Sequence, residues 1–260
     1  MSSKLILSIP HIDVDVSIKE FLKSSEEIIR SSKERGAQVV VMPTPMHQLL
    51  DVLRGVKRFS TYWSTMSELI NEFLDLSTRT LLYILFTPMI YRAGNRRYLV
   101  TGLIVPQGKV YYSKKVVAES SLASVSFSKE IELLDIGGIK ICPLIGSDIF
   151  FPEIPRLCNY LGSDMILSVQ IPNLISVRED ILKSVLTTRA LENSIPTINL
   201  GSYMRGENVV PTVLISSTGD VVEMYNGLEP SIFLVEITKR NVNVNRNTIR
   251  YLKNLIKYLV

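Results

Sequence analysis

The sequence predicts an α/β layered domain that contains more than one β-sheet. Strand-like and helix-like segments alternate along the chain, and two strand-rich blocks hold more strands than one doubly wound sheet needs. The chain has 260 residues, of which 46% are hydrophobic. It is therefore long enough to form one large domain with a buried core, and short for two domains. No linker, repeat or low-complexity stretch interrupts this pattern.

Apolar and β-branched runs predict the strands, and apolar residues near helical spacing predict the helices. In the first helix Ile18, Phe21 and Leu22 follow this spacing, and Gly36 is the stop signal. The predicted strands span residues 4–9, 37–42, 81–86, 98–105, 139–145, 165–169, 196–200, 210–216, 219–225 and 232–237, with one more ending near 114–115. The predicted helices span residues 16–35, 66–76, 153–161 and 178–193.

The net charge of +4 is concentrated near the end of the chain. Six basic residues and no acidic residue lie within positions 239–260, and removing them leaves 23 basic against 25 acidic residues. From Asn247 this segment is predicted to be a basic amphipathic helix. We expect its apolar stripe to pack on this subunit or on a dimer mate. Binding of the basic tail to nucleic acid or to a membrane surface stays open as an alternative.

The sequence predicts no membrane span, signal peptide, metal site or cofactor. The longest apolar runs, such as residues 81–86, are far shorter than a membrane span, and residues 1–5 lead straight into a strand-like segment. Cys142 and Cys158 have the spacing neither of a metal site nor of a disulfide framework, so each is expected to be an ordinary buried core residue. We therefore expect a cytoplasmic protein without a cofactor.

Five segments carry a resemblance to a known family. They are residues 36–43 (GAQVVVMP), 105–110 (VPQGKV) with the lysines that follow, 145–153 (IGSDIFFPE), 189–193 (RALEN) and 215–221 (ISSTGDV). In this order they resemble the nitrilase superfamily, the carbon–nitrogen hydrolases. The resemblance covers residue 4 to about 238. It implies a four-layer αββα sandwich over residues 1–238, commonly dimerised through its outer helices, with residues 239–260 as a tail.

The resemblance also implies where three catalytic groups would lie. In this family a cysteine thiolate attacks the substrate carbon, a glutamate relays protons and a lysine stabilises the developing charge. The glutamate would follow Pro43, where this chain has Thr44, and the cysteine would stand at Gly146. The lysine is Lys115 or, with a one-residue slip, Lys114. Two of the three groups are absent, so these positions are interpreted as a vestigial triad.

Three neighbouring residues could line a pocket or replace a missing group. Ser147 adjoins the vacated position, but it points another way and would need a base that Thr44 does not supply. His47 could reach the pocket rim, although a loop histidine is usually solvated. Asp148 is interpreted as framework. The lysine could bind a carboxylate or phosphate as a lone cation, or it could pair with a carboxylate of the chain itself.

These observations favour a nitrilase-like protein that has lost hydrolysis and acts as a binding, scaffold or regulatory subunit. We expect it to form a homo-oligomer, with a dimer as the basic unit, and to bind a small molecule or a protein partner. The alternative is a hydrolase of amides or nitriles with a rearranged nucleophile such as Ser147. A role with nucleic acid or membranes would rest on the tail alone.

Overall fold

The computed structural model describes residues 4–171, 177–204 and 207–240. The strands in these ranges are β1 (Lys4–His11), β2 (Val39–Pro43), β3 (Tyr83–Ala93), β4 (Arg96–Val105), β5 (Lys109–Lys114), β6 (Leu134–Ile136), β7 (Ile139–Ile145), β8 (Met165–Val169), β9 (Thr197–Leu200), β10 (Ser202–Met204), β11 (Glu207–Val210), β12 (Thr212–Ile215), β13 (Val221–Tyr225) and β14 (Ser231–Thr238). The α-helices are α1 (Ile18–Glu34), α2 (Met46–Leu53), α3 (Phe59–Thr80), α4 (Glu153–Tyr160) and α5 (Glu179–Asn193).

Two six-stranded sheets form the centre of the molecule. The first has the strand order β14-β1-β2-β3-β4-β5 and the second has the order β13-β12-β9-β8-β7-β6, while β10 and β11 form a separate ribbon. Helices α1, α2 and α3 cover the first sheet, and α4 and α5 cover the second. The expected αββα sandwich is therefore confirmed.

The alternation of side chains along β2 shows how the sequence produces these layers. Val39 and Val41 belong to the core between the two sheets, whereas Val40 and Met42 belong to the core under the helices. Successive residues of a strand point to opposite faces, so a strand that is apolar at every position is buried on both sides. All five residues of β2 are buried.

The N-terminal helical layer is larger than the sequence predicted. Helix α2 was not predicted, and α3 begins at Phe59 rather than at residue 66. The N-cap of α2 is Pro45, which makes no side-chain cap hydrogen bond, so the usual start signal is missing. In the first turn of α3 the hydroxyl of Tyr62, which is fully buried, accepts a hydrogen bond from Ile90 N at 2.9 Å. Tertiary packing thus extends the helix beyond its obvious periodic stretch.

The two cysteines form a disulfide, so the expectation that neither belongs to one is wrong. Cys142 lies on β7 and Cys158 on α4, and their Cα atoms are 6.0 Å apart. Both are fully buried, as the sequence predicted. Their spacing gave no sign of a disulfide because the pairing depends on how α4 packs over β7.

The helix predicted from Asn247 lies outside the described residues, and of the basic tail only Lys239 and Arg240 lie within them. Arg240 is half-buried: its guanidinium donates to Ser163 O at 2.9 Å and to Asn159 Oδ1 at 3.3 Å. These contacts anchor the beginning of the tail to α4 and to the loop between α4 and β8. Among the described residues, no helix combines the length and apolar character that crossing a bilayer requires.

Candidate functional site

The turn after β7 has the geometry of a strand-to-helix elbow. Gly146 has φ +61°, a left-handed conformation that side-chain-bearing residues adopt at a cost, and residues 146–150 form a 3₁₀ turn before α4. Asp148 fixes this turn, because its buried carboxylate accepts hydrogen bonds from Ile145 N at 3.3 Å and Val117 N at 2.8 Å. Asp148 therefore stabilises the turn, and whether it also lines a pocket stays a prediction.

Lys115 is the lysine that lies against this turn. It follows β5, and its side chain is completely inaccessible to solvent. Its Nζ lies 2.6 Å from Ile145 O, 3.0 Å from Asp148 Oδ1 and 3.2 Å from Ser147 Oγ. The ammonium also lies 2.7 Å from a carboxylate oxygen of Glu119. Four acceptors surround a group with three protons, so no donor is left for an external anion.

Glu119 is the site residue that sequence reasoning missed. Its Oε1 accepts hydrogen bonds from Ser147 N at 2.9 Å and from Ser147 Oγ at 2.5 Å. A Cβ built on Gly146 would lie 2.9 Å from the same oxygen and 3.6 Å from Lys115 Nζ. The carboxylate therefore occupies the space where a side chain at position 146 would begin. Glu119 lies four residues after the candidate lysine, and this spacing is the sequence signal that could have identified it as a site residue.

The environment of Glu119 favours its ionised form. Burial raises the pKa of this carboxyl, but hydrogen bonds from Lys115 and Ser147, together with the positive charge of Lys115, outweigh burial and hold the pKa below its usual value. One ammonium thus contacts two carboxyl groups inside the protein. Lys115 pairs with acids of the chain itself, as one of the two sequence interpretations proposed.

Lys114 and His47 lie in other polar clusters. The Nζ of Lys114 lies 2.8 Å from Glu132 Oε1, in a half-exposed pair on the other face of the strand end. The Nε2 of His47 lies 2.7 Å from the amide nitrogen of Gln48, and its Nδ1 is 3.7 Å from a carboxylate oxygen of Asp15. None of these contacts involves a residue of the Gly146 turn.

Thr44 stands directly after β2 and is 1% exposed. Its N–H donates to Thr87 O at 3.1 Å, and its hydroxyl donates to the carbonyl of Pro88. In the strand order β2-β3-β4-β5 it lies three strands from Lys115. The convergence of Thr44 with Lys115 and Gly146 on one cavity stays a prediction.

Gln170, after β8, is a second polar residue beside the turn. It is 6% exposed, and its Nε2 lies 3.4 Å from Gly146 O and 3.2 Å from Ser168 Oγ. Its Oε1 has no hydrogen-bond partner within the described residues. Among those residues, no group of three or more His, Cys, Asp or Glu could hold a metal ion.

No protein-family model and no curated protein matches this chain. Solved structures do match it. A cysteine-to-alanine variant of a nitrilase-superfamily amidase from Nesterenkonia AN1 has a TM-score of 0.75 and 16% identity, and the match covers 98% of this chain and 97% of that one. A variant of the same amidase, with acrylamide added at its active-site cysteine, has a TM-score of 0.73 and 16% identity over 97% and 99% of the two chains.

A glutamine-dependent NAD⁺ synthetase from Acinetobacter baumannii is also similar, with a TM-score of 0.74 and 12% identity over 91% of this chain and 47% of that chain. Likenesses at these identities show the fold. The chain therefore has the fold of the nitrilase-superfamily amidases, and the resemblance in the sequence is confirmed at that level.

Proposed function

We propose that this chain is a non-hydrolytic binding, scaffold or regulatory subunit built on the nitrilase fold. The observation that carries the proposal is the contact between Glu119 and the turn: the carboxylate lies 2.9 Å from the position of a Cβ on Gly146. In this proposal, a partly buried acid that is already paired with Lys115 lies beside the position that a nucleophile would need.

The remaining groups cannot supply the missing steps. Gly146 has no atom that could attack a carbonyl or nitrile carbon, and a threonine hydroxyl such as that of Thr44 is far too weak a base near neutral pH. Lys115 could stabilise developing charge, but a stabiliser without an attacking group leaves most of the barrier in place. Restoring the thiol alone, as Gly146→Cys, is also expected to fail, because the base is still absent and the new Cβ meets Glu119.

Intact-mass spectrometry tests the proposal. Fluoroacetamide forms a covalent adduct at the active-site cysteine of a Nesterenkonia amidase variant. We expect no mass increase when this protein is incubated with fluoroacetamide under native conditions. Iodoacetamide on the denatured and reduced chain, in which Cys142 and Cys158 are exposed thiols, is the control that adducts are detected. A native adduct that maps to the 146–150 turn would contradict the proposal.

A second candidate is a hydrolase that uses Ser147. The observation that favours it is that Ser147 Oγ lies 2.5 Å from Glu119 and 3.2 Å from Lys115, so the structure supplies a neighbouring carboxylate that the sequence did not reveal. The lowered pKa of Glu119 makes it a weak base, which is why this candidate ranks second. Amide turnover that survives Cys142→Ala and Cys158→Ala, is lost in Ser147→Ala and leaves an acyl group on Ser147 would establish it.

The proposed assembly is a homodimer through the outer helices of the second sheet. Four apolar side chains on or beside these helices are at least 46% exposed: Leu157, Leu161, Ile181 and Leu191. A cluster of exposed apolar residues marks an interaction surface. We expect light scattering to give a dimer, and the double variant Leu157→Glu and Leu191→Glu to give a monomer. Val56→Glu, at a residue 75% exposed on the other side of the sandwich, is the control. A monomeric unmodified protein at micromolar concentration would contradict this assembly.

The proposed compartment is the cytoplasm. The disulfide between Cys142 and Cys158 weighs against it, because disulfides are rare in reducing compartments. Thiol trapping at the moment of lysis of the producing cells decides the matter. Two free thiols on each chain after denaturation in the trapping reagent would support a cytoplasmic location, and a mostly oxidised pair would contradict it.

A further inference from the structure

A polar cavity that is wide open to solvent, separate from the Gly146 turn, lies at the N-terminus of α3. Its volume is about 550 Å³, which is within the range of small-ligand pockets. The walls come from the end of α2 and the loop after it, from the first turn of α3, and from the hairpin between β3 and β4. Neither Lys115 nor Gly146 lines this cavity.

The cavity is strongly cationic. Lys57, Arg58, Arg92 and Arg97 line it, and no acidic residue does. Throughout residues 4–171, 177–204 and 207–240, none of these four cations forms an ion pair with a carboxylate. The sequence assigned the excess of basic residues to the tail. The fold forms a second group of basic residues, because it brings residues 57–58 close to residues 92–97.

The first turn of α3 adds to the positive potential. Arg58 is the N-cap of this helix and provides no side-chain cap, and the first turn contains no acidic residue. Free backbone N–H groups at a helix N-terminus carry partial positive charge and favour an anion. A helix end and four cations without a counter-charge repel one another, and an anionic ligand would relieve that repulsion.

The groove between α1 and α3 shows the contrasting arrangement. Arg30 and Arg79 line it, and each is paired: Arg30 with Glu26 at 2.6 Å and Arg79 with Asp75 at 2.5 Å. The arginines of that groove are therefore neutralised by their own helices. The cations around the α3 cavity are not, which sets this cavity apart as a site for a charged ligand.

The cavity also offers a flat and apolar surface. The guanidinium of Arg97 lies 4.6 Å from the centre of the Phe59 ring, and Val52 and Leu53 complete the apolar wall. Arginine planes and aromatic rings both stack on planar ligands. We propose that this cavity binds a small organic polyphosphate that carries a ring, of the class of nucleoside diphosphates. The proposal holds whether or not the protein hydrolyses amides.

Titration calorimetry with ADP, pyrophosphate and adenosine tests this proposal at physiological salt. We expect ADP to bind at least tenfold more tightly than pyrophosphate, which lacks the ring, and at least tenfold more tightly than adenosine, which lacks the charge. Arg58→Gln and Arg92→Gln each remove one exposed cation and should each weaken ADP binding about tenfold or more. Arg30→Gln removes one charge from the α1–α3 groove, and its affinity for ADP should stay within twofold of that of the unmodified protein.

Several results would overturn the proposal. One is that the unmodified protein does not bind ADP at 1 mM. Another is that it binds ADP and pyrophosphate with equal affinity. A third is that Arg58→Gln and Arg30→Gln lose the same amount of affinity for ADP. An oligonucleotide that displaces ADP and binds more tightly as its length increases would assign the surface to nucleic acid instead. None of these results bears on hydrolysis, since amide turnover is a separate measurement.

Discussion

Replacing Lys115 by methionine should destabilise the protein far more than the same replacement at Lys114. Methionine keeps most of the side-chain volume and removes the ammonium. In Lys115→Met, two carboxyl groups, those of Glu119 and Asp148, lose a partner that lies within 3.0 Å of each. In Lys114→Met, the half-exposed pair with Glu132 and a contact of the ammonium over the Tyr98 ring, 5.7 Å from its centre, are lost.

The expected loss of folding free energy depends on how deeply each ion pair is buried. Breaking a buried ion pair by removing one partner costs about 3–5 kcal/mol, because a charge is left uncompensated. Solvent-exposed pairs are worth about 0–1 kcal/mol, and the half-exposed Lys114–Glu132 pair is expected to lie closer to this value than to the buried one. For a chain of this size, 3–5 kcal/mol corresponds to a fall in melting temperature of roughly 6–20 °C. Urea unfolding at pH 7 and calorimetry measure both variants against the unmodified protein.

The pH dependence of the folding stability adds a prediction of defined direction. In the unmodified protein the pKa of Glu119 is lowered, so its contribution to stability is present above the unfolded pKa and is lost as the pH falls through the folded pKa. In Lys115→Met the burial of Glu119 is no longer opposed by the ammonium, so its pKa rises. The stability difference between the two proteins should therefore shrink as the pH falls from 7 to about 4. Equal costs for Lys115→Met and Lys114→Met at pH 7 would refute this account of the site.

Three further changes test other parts of the structure. Reduction of the disulfide, whose cysteines are 16 residues apart, should lower the free energy of unfolding by about 3 kcal/mol, seen as a lower urea midpoint; an unchanged midpoint would contradict the pairing. Arg240→Ala should cost about 1.5–3 kcal/mol because it leaves Ser163 O without its charged donor, whereas exposed Lys239→Ala should cost less than about 0.5 kcal/mol. Deletion of residues 245–260 should lower the melting temperature or dissociate the dimer; unchanged stability with loss of binding to nucleic acid or anionic lipid would favour the alternative role of the tail.

Local sequence patterns predicted the part of the fold that leads into the site. The strands 139–145 and 165–169 have the bounds that the sequence predicted, and the turn at Gly146 follows the first of them directly. Both strands are mostly apolar runs, interrupted only by Lys140 and Ser168, and each is followed by a small or polar residue, which is a clear strand signal. The positions of Thr44 and Lys115 came from the resemblance, which ties each of them to the end of a strand.

The features that the sequence did not reveal depend on tertiary contacts. Glu119 reaches Ser147 across 28 positions of sequence, and no local periodicity records that approach. The α3 cavity likewise joins residues 57–58 to the 92–97 hairpin. Such pairs become visible only when the fold fixes which loops meet.

Ammonia release from amides tests the proposal of a non-hydrolytic subunit most directly, because a protein without a nucleophile at the Gly146 turn would not catalyse that reaction. The unmodified protein is incubated at high enzyme concentration with acetamide, acrylamide, an ω-amide and an N-carbamoyl amino acid, beside Lys115→Met as the matched inactive reference. We predict that the unmodified protein releases ammonia no faster than Lys115→Met or the buffer alone. Release that is faster than the reference, saturates with substrate and disappears in Ser147→Ala would contradict the account and make this chain a hydrolase.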